Sequence, residues 1–132
     1  MLPFLFFGMA AAIADTNFDL QCDGEKKTIN LQLVKTYTEP FSQRFRIDLA
    51  SKRWCAEQCS LVSAIDDVRD DAIILEKANT QPAPGQLFTV HQVSRVTGEY
   101  TLYVKDRTGS VAVKAACRKL EFSGFPKINR QF

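Results

Sequence analysis

The sequence has few of the residues from which catalytic centres are built. His91 is the only histidine, so the chain cannot assemble a multi-histidine metal site. It contains no G-x-S-x-G nucleophile elbow and no glycine-rich phosphate loop. His91 follows apolar Val90 in a predicted strand, where alternation favours a side chain that points into solvent. These absences predict a protein that is not an enzyme and needs neither cofactor nor metal.

Charge of one sign is also scarce, because 17 basic residues face 15 acidic ones and the net charge is +2. The basic residues that are adjacent in sequence form scattered pairs, such as Lys26-Lys27, Lys52-Arg53 and Arg118-Lys119. Such a distribution excludes the basic patch of a nucleic-acid-binding protein. The acidic run DDVRDD lacks the alternate spacing and the glycine of a calcium loop, so we interpret it as a solvated turn.

After its first residues the chain has no long apolar run. The stretch from Met1 to Ala14 is apolar and ends in Ala12-Ile13-Ala14, which fits the cleavage pattern of a secretory signal peptide. A buried first strand and an uncleaved anchor are the alternatives, although about fourteen residues are too few to span a bilayer. We predict a signal peptide over residues 1–14, one domain over residues 15–132, no stable membrane anchor after cleavage, and a periplasmic or secreted location.

Four cysteines in an exported chain predict two disulfides, for which three connectivities exist. Cys55 and Cys59 are close enough to bridge their own loop, and Cys22 and Cys117 lie near the two ends of the predicted domain. We therefore predict the pairs Cys22–Cys117 and Cys55–Cys59. A redox role for CAEQC is disfavoured, because three residues separate its cysteines where the thioredoxin-type motif has two.

Short segments of alternating polar and apolar residues run through the rest of the chain. Turn signals separate them, among them Asp23-Gly24, Thr97-Gly98 and Asp106–Gly109. The pattern predicts an all-β fold, an antiparallel meander of seven or eight strands closed as a small barrel or sandwich. Residues 56–69 also fit a helix, and residues 78–86 are predicted to form the one long loop.

The alternation also predicts which side chains face the core. Most members of this set are large: Phe18, Leu20, Ile29, Leu31, Leu33, Phe45, Ile47, Leu49, Phe88, Val90, Leu102 and Val104. A small domain with such side chains has a filled interior. We therefore predict that binding takes place on an outer surface or rim near Trp54, Arg95 and Tyr103. This favours a non-enzymatic binding or structural role with a protein partner, and a barrel that binds a small ligand is the alternative.

Several motifs resemble known small exported proteins. Cys22, RWCAEQC, RVTGEY and a late Cys117 followed by FSGFP resemble small uncharacterised secreted proteins of Gram-negative bacteria. The opening FDLQCDGEKKTINLQL is similar to periplasmic C-type lysozyme inhibitors, which implies a disulfide-tied β-barrel and lysozyme as an alternative partner. TGEY is one residue shorter than that family's Ser-Gly-x-x-Tyr motif, and the Lys-Gly-x-x-Ala motif has no counterpart. The resemblance therefore implies no inhibitory residue.

Overall fold

A computed structural model describes residues 16–77 and 87–127 of the chain. The predicted signal peptide over residues 1–14 and the predicted loop over residues 78–86 lie outside these ranges. Within them, no helix is both long enough and apolar enough to cross a membrane.

The described residues form one antiparallel sheet. Its strands are β1 (Asn17–Asn30), β2 (Lys35–Asp48), β3 (Arg53–Ala56), β4 (Ser63–Ala64), β5 (Asp67–Val68), β6 (Ala72–Glu76), β7 (Phe88–Ser94), β8 (Glu99–Asp106) and β9 (Gly109–Leu120). Their order across the sheet is β4-β3-β2-β1-β9-β8-β7-β6-β5. The all-β prediction is confirmed, with nine strands rather than seven or eight. The helix considered for residues 56–69 is wrong, because that segment contains the end of β3, turns, and the two-residue strands β4 and β5.

The nine strands form a single curled sheet, a half-barrel, and not the closed barrel or the sandwich that was predicted. Its two edge strands, β4 and β5, are consecutive in sequence and are joined by Ile65 and Asp66. The Ile65 amide donates to the Lys52 carbonyl at 2.8 Å, and the Asp66 amide donates to the Ile74 carbonyl at 2.9 Å. This dipeptide therefore ties the two edges together at one point, while the remainder of each short edge strand stays open.

The turn predicted at Asp23-Gly24 is wrong, because β1 runs straight through it and pairs along its length with β2. Gly24 lies opposite both Phe41 and Ala115. A Cβ atom at Gly24 would stand 2.0 Å from the carbonyl oxygen of Lys114. Glycine is therefore needed here because two backbones approach each other closely, and not because the chain turns.

The first hairpin turns instead at residues 31–34, immediately after Asn30. The Asn30 side-chain oxygen accepts hydrogen bonds from the amides of Gln32, at 3.1 Å, and Leu33, at 3.0 Å. Asparagine closes turns in this way because its side chain competes for nearby backbone donors. As a consequence Leu31 and Leu33, predicted to face the core, are exposed.

The hydrophobic core lies on the inner face of the curled sheet. Its buried members are Phe18, Leu20, Cys22, Phe45, Ile47, Ile65, Ile73, Leu75, Val93, Tyr100, Val113 and Ala115. Both predicted disulfides are present, Cys22–Cys117 across the β1–β9 pair and Cys55–Cys59 within a local loop. Two predicted core residues, Phe88 and Val90, are only half-buried and alternate with the buried His91, so they occupy the other face.

The segment after β9 packs against the outer face of the sheet. Asp19, fully buried there, accepts hydrogen bonds from the Ser123 amide at 3.2 Å and the Ser123 hydroxyl at 2.7 Å. Arg46 Nη1 donates to the Gly124 carbonyl at 2.8 Å, and the Arg53 guanidinium lies 4.9 Å from the centre of the Phe125 ring. Polar and cation–π contacts thus fasten this segment to β1, β2 and β3.

Candidate binding cleft and the buried histidine cluster

The three residues predicted to form a binding surface do not lie together. Trp54 is half-buried and packs on the inner face, with its ring centre 6.1 Å from that of Phe45. Tyr103 lies on the other face of β8, where its ring meets the edge of Phe88 at 5.7 Å. Arg95 follows β7 in the turn to β8 and is exposed. The prediction named an outer surface or rim: Arg95 lies at the rim, Tyr103 lies on the outer face, and Trp54 lies on neither.

Beside Arg95 the open end of the sheet forms a cleft of about 410 Å³. Its floor consists of four buried apolar side chains of β1, β6 and β7, namely Phe18, Leu20, Ile73 and Val93. The β1 and β9 strands meet there at the Cys22–Cys117 disulfide, and Ile73 pairs directly with Val93. The same alternation that builds the core therefore also builds the floor of the cleft.

Two cationic side chains border this floor. Arg95 is held by its backbone amide, which donates to the Asp71 carbonyl at 2.8 Å, and by Nη1, which donates to the Arg69 carbonyl at 2.8 Å. Lys119 lies across the cleft on β9, and its ammonium is 5.4 Å from the centre of the Phe18 ring. None of the described residues that line the cleft is acidic. The site therefore combines an apolar floor with a positive rim.

The single histidine lies deeper, on the inner face, and the prediction that it points into solvent is wrong. His91 is 7% exposed. Its Nε2 is 2.8 Å from the Tyr100 hydroxyl, and its Nδ1 is 3.2 Å from Glu76 Oε1. A register shift between Ile74 and Glu76 in β6 places Glu76 opposite His91. A one-residue change of register moves each following side chain to the opposite face of the sheet, so the sequence pattern alone did not reveal this contact.

The surroundings of His91 favour a neutral imidazole. Burial lowers the pKa of His91, and the hydrogen bond and charge of Glu76 oppose this effect only in part. Burial also raises the pKa of Tyr100 well above its ordinary value. We assign Nδ1–H as the donor to Glu76 and the Tyr100 hydroxyl as the donor to Nε2, since this tautomer pairs both ring nitrogens.

Aromatic rings enclose the histidine. Trp54 meets the His91 ring edge-on at 5.2 Å, and Phe45 and Phe41 pack on Tyr100 at 4.7 and 5.7 Å. The indole Nε1 of Trp54 is buried and has no hydrogen-bond partner among the described residues. No group of three or more histidine, cysteine or acidic residues in the described ranges could hold a metal ion.

Comparisons of the chain with protein-family models, with curated proteins and with solved structures returned no match. The resemblance to uncharacterised secreted proteins and to periplasmic lysozyme inhibitors therefore stays a prediction. The sequence pointed to Arg95 as a rim residue but missed Lys119 and Glu76. A basic residue at the end of a strand carries no local signal that distinguishes a cleft wall from open surface.

Proposed function

We propose that this chain is an exported, non-enzymatic binding domain that holds a segment of a protein partner in the rim cleft. The observation that carries the proposal is the apolar floor of the cleft, bordered by the cationic side chains of Arg95 and Lys119. The matching segment has an apolar side chain beside a carboxylate. Charge-assisted hydrogen bonds from such cations are about twice as strong as neutral ones.

The shape of the cleft favours a protein segment over a small molecule. The floor residues are themselves buried, the most exposed being Phe18 at 9%, so the floor alone offers little apolar surface to any ligand. Ligand pockets usually bury roughly 70–90% of the ligand surface. A protein segment can add contacts on the surface around the cleft, and its affinity does not depend on deep enclosure.

Two further features support the binding role and the exported location. His91 is enclosed by Trp54 and Tyr100, and both of its ring nitrogens have partners, which leaves neither nitrogen placed to exchange protons with a substrate. The disulfides Cys22–Cys117 and Cys55–Cys59 are typical of proteins that work in an oxidising compartment.

The experiment is a pull-down from periplasmic extract followed by titration calorimetry with the partner it identifies. The double substitution R95Q/K119Q should lower the affinity at least about tenfold, because a hydrogen bond to a charged group contributes roughly 1.5–3 kcal/mol. Arg107→Gln is the control, since Arg107 is an exposed arginine in a different turn, between β8 and β9. Equal losses in R107Q and R95Q/K119Q would contradict the assignment of the site.

A small anionic amphiphile is the second candidate for the same cleft, because about 410 Å³ falls within the range of ligand pockets. Native mass spectrometry of the protein with a medium-chain fatty acid tests it, and a one-to-one adduct lost in R95Q/K119Q would favour this candidate. Lysozyme is the alternative protein partner that the sequence resemblance implies. An activity assay in which added protein leaves lysozyme fully active would remove that alternative.

A further inference from the structure

Exposed apolar side chains are concentrated at the end of the β1–β2 hairpin. Among the described residues, seven large hydrophobic side chains are exposed, and four of them lie between Leu31 and Tyr37. Their exposures are 57% for Leu31, 64% for Leu33, 89% for Val34 and 49% for Tyr37. We call residues 31–37 the hairpin tip. Such a concentration of apolar groups commonly marks an interaction site.

Hydrogen bonds tie the tip to the neighbouring turn, and its side chains take no part in the hydrophobic core. The Leu31 amide donates to the Thr108 carbonyl at 2.8 Å, and the Asn30 side chain caps the turn. Val34 has a φ of 50°, a left-handed conformation that is unfavourable for a β-branched residue. Asparagine or glycine would adopt it at lower cost. A strained and exposed valine indicates that the apolar side chain itself has a use.

The charge around the tip is positive. Residues 28–37 and 104–111, which form the end of the sheet, contain Lys35, Lys105 and Arg107 and one acidic residue, Asp106. Asp106 accepts hydrogen bonds from the amide and hydroxyl of Thr108, at 2.8 and 2.6 Å. Three exposed cations therefore lie at the same end of the sheet as the apolar tip.

We propose that the hairpin tip binds reversibly to the surface of an anionic lipid bilayer. Apolar side chains enter the interface while basic ones attract the lipid phosphates. A second copy of the chain fits less well, because two tips would bring Lys35, Lys105 and Arg107 of each copy against one another. The four exposed side chains come from a turn and the strand after it, and they form a protrusion rather than a flat face, which suits a fluid apolar medium.

The dimensions of the hairpin agree with this contact. Tyr37 pairs with Thr28, two rungs behind the last pair, Asn30 and Lys35. At about 3.3 Å per residue, Tyr37 therefore lies roughly 7 Å behind the turn. Interfacial segments enter the bilayer to a depth of about 5–10 Å. Tyr37 would then lie at the headgroup level, where tyrosine is enriched, and the stem of Lys35 is long enough to reach back to the phosphates.

Sedimentation of the purified protein with vesicles tests the proposal. The protein should bind vesicles of phosphatidylcholine with phosphatidylglycerol, and it should bind pure phosphatidylcholine vesicles at least about tenfold more weakly. The tip variant L31S/L33S/V34N should lose about tenfold or more of the affinity for the anionic vesicles. It should also fold, since V34N relieves the left-handed valine. The control L61S/V96S removes two exposed apolar side chains outside the tip and should bind as the unaltered protein does.

Two further variants localise the contact. With anionic vesicles, Tyr37→Trp should shift the tryptophan emission to shorter wavelength more than in the unaltered protein, which has only Trp54. K35Q/R107Q should weaken binding about tenfold. The proposal is overturned if the unaltered protein does not bind anionic vesicles, or if the tip variant binds them equally well. If the unaltered protein does not bind vesicles and the tip variant loses the affinity for a protein partner, the tip is a protein-binding site and the proposal is overturned.

Discussion

Replacing Arg44 by methionine should destabilise the fold more than replacing its partner Asp19 by leucine. Arg44 Nε donates to Asp19 Oδ2 at 2.7 Å, and the two side chains differ sharply in exposure, with 41% for Arg44 and 0% for Asp19. In the methionine variant a carboxylate stays buried without its cation. In the leucine variant the guanidinium can turn into water, and an apolar side chain fills the buried position.

The expected loss of unfolding free energy depends on which polar groups remain buried without a partner in each variant. In Arg44→Met, Asp19 keeps its two hydrogen bonds from Ser123, so the loss should lie near the lower end of the range for broken buried pairs, about 3 kcal/mol. Asp19→Leu loses the ion pair and the Ser123 contacts but buries apolar surface, which leaves a loss of about 1 kcal/mol. The difference of about 2 kcal/mol corresponds to roughly thirtyfold in the unfolding equilibrium.

Urea unfolding with intact disulfides measures this difference, and the fluorescence of Trp54, the only tryptophan, reports the transition. With a slope of about 1–3 kcal/mol per molar urea, Arg44→Met should lower the midpoint by roughly 1–3 M. The double variant D19L/R44M should be about as stable as Asp19→Leu alone, because no buried charge remains. If Arg44→Met cost no more than Asp19→Leu, the reasoning about the buried carboxylate would be refuted.

Two other predictions concern the histidine and the disulfides. Because burial lowers the pKa of His91 in the folded state, the unfolded chain binds a proton more readily; the free energy of unfolding should therefore fall as the pH drops below the ordinary value of 6.5. His91→Gln should remove that part of the slope in pH-dependent urea unfolding, and an unchanged slope would count against the burial effect. Removing Cys22–Cys117, which spans 95 residues, should cost about 4–5 kcal/mol from chain entropy, against about 2 kcal/mol for Cys55–Cys59, which spans 4. Thermal unfolding of the two double-alanine variants compares them, and equal losses would exclude loop length as the main cause.

The parts of the fold that the sequence predicted well are those decided by local pattern. Phe45 and Ile47 alternate with polar residues on β2, and both are buried as predicted. Asp23-Gly24 has the composition of a tight turn, yet Gly24 lies inside a strand because a neighbouring backbone approaches it. That approach depends on residues about ninety positions away in the chain, and no local propensity contains it.

The candidate site illustrates the same limit. Arg95 lies in a turn segment that the sequence singled out, and it borders the cleft. The other wall, Lys119, reaches the cleft only because β9 pairs with β1 near Leu20. Glu76 meets His91 only because β6 changes its register at that point. Pairings between distant strands therefore decide which polar residues meet, whereas the alternation within each strand decides only whether they share a face.

The two proposed contacts lie at opposite ends of the same long strand. Phe18 forms part of the cleft floor near the start of β1, and Asn30 closes the turn at the hairpin tip. Twelve intervening steps at about 3.3 Å give a separation of up to roughly 40 Å. A protein held at a membrane by the tip would therefore present its cleft well away from the lipid, where a partner has access. The two contacts share no residue. The tip variant L31S/L33S/V34N should therefore keep its affinity for the protein partner of the cleft. R95Q/K119Q should keep the apolar contact between the hairpin tip and the vesicles. The pairing of β1 with β2 and β9 along its length keeps the two ends apart in a folded chain. Loss of both contacts in either variant, with the fold intact, would contradict the assignment of two separate sites.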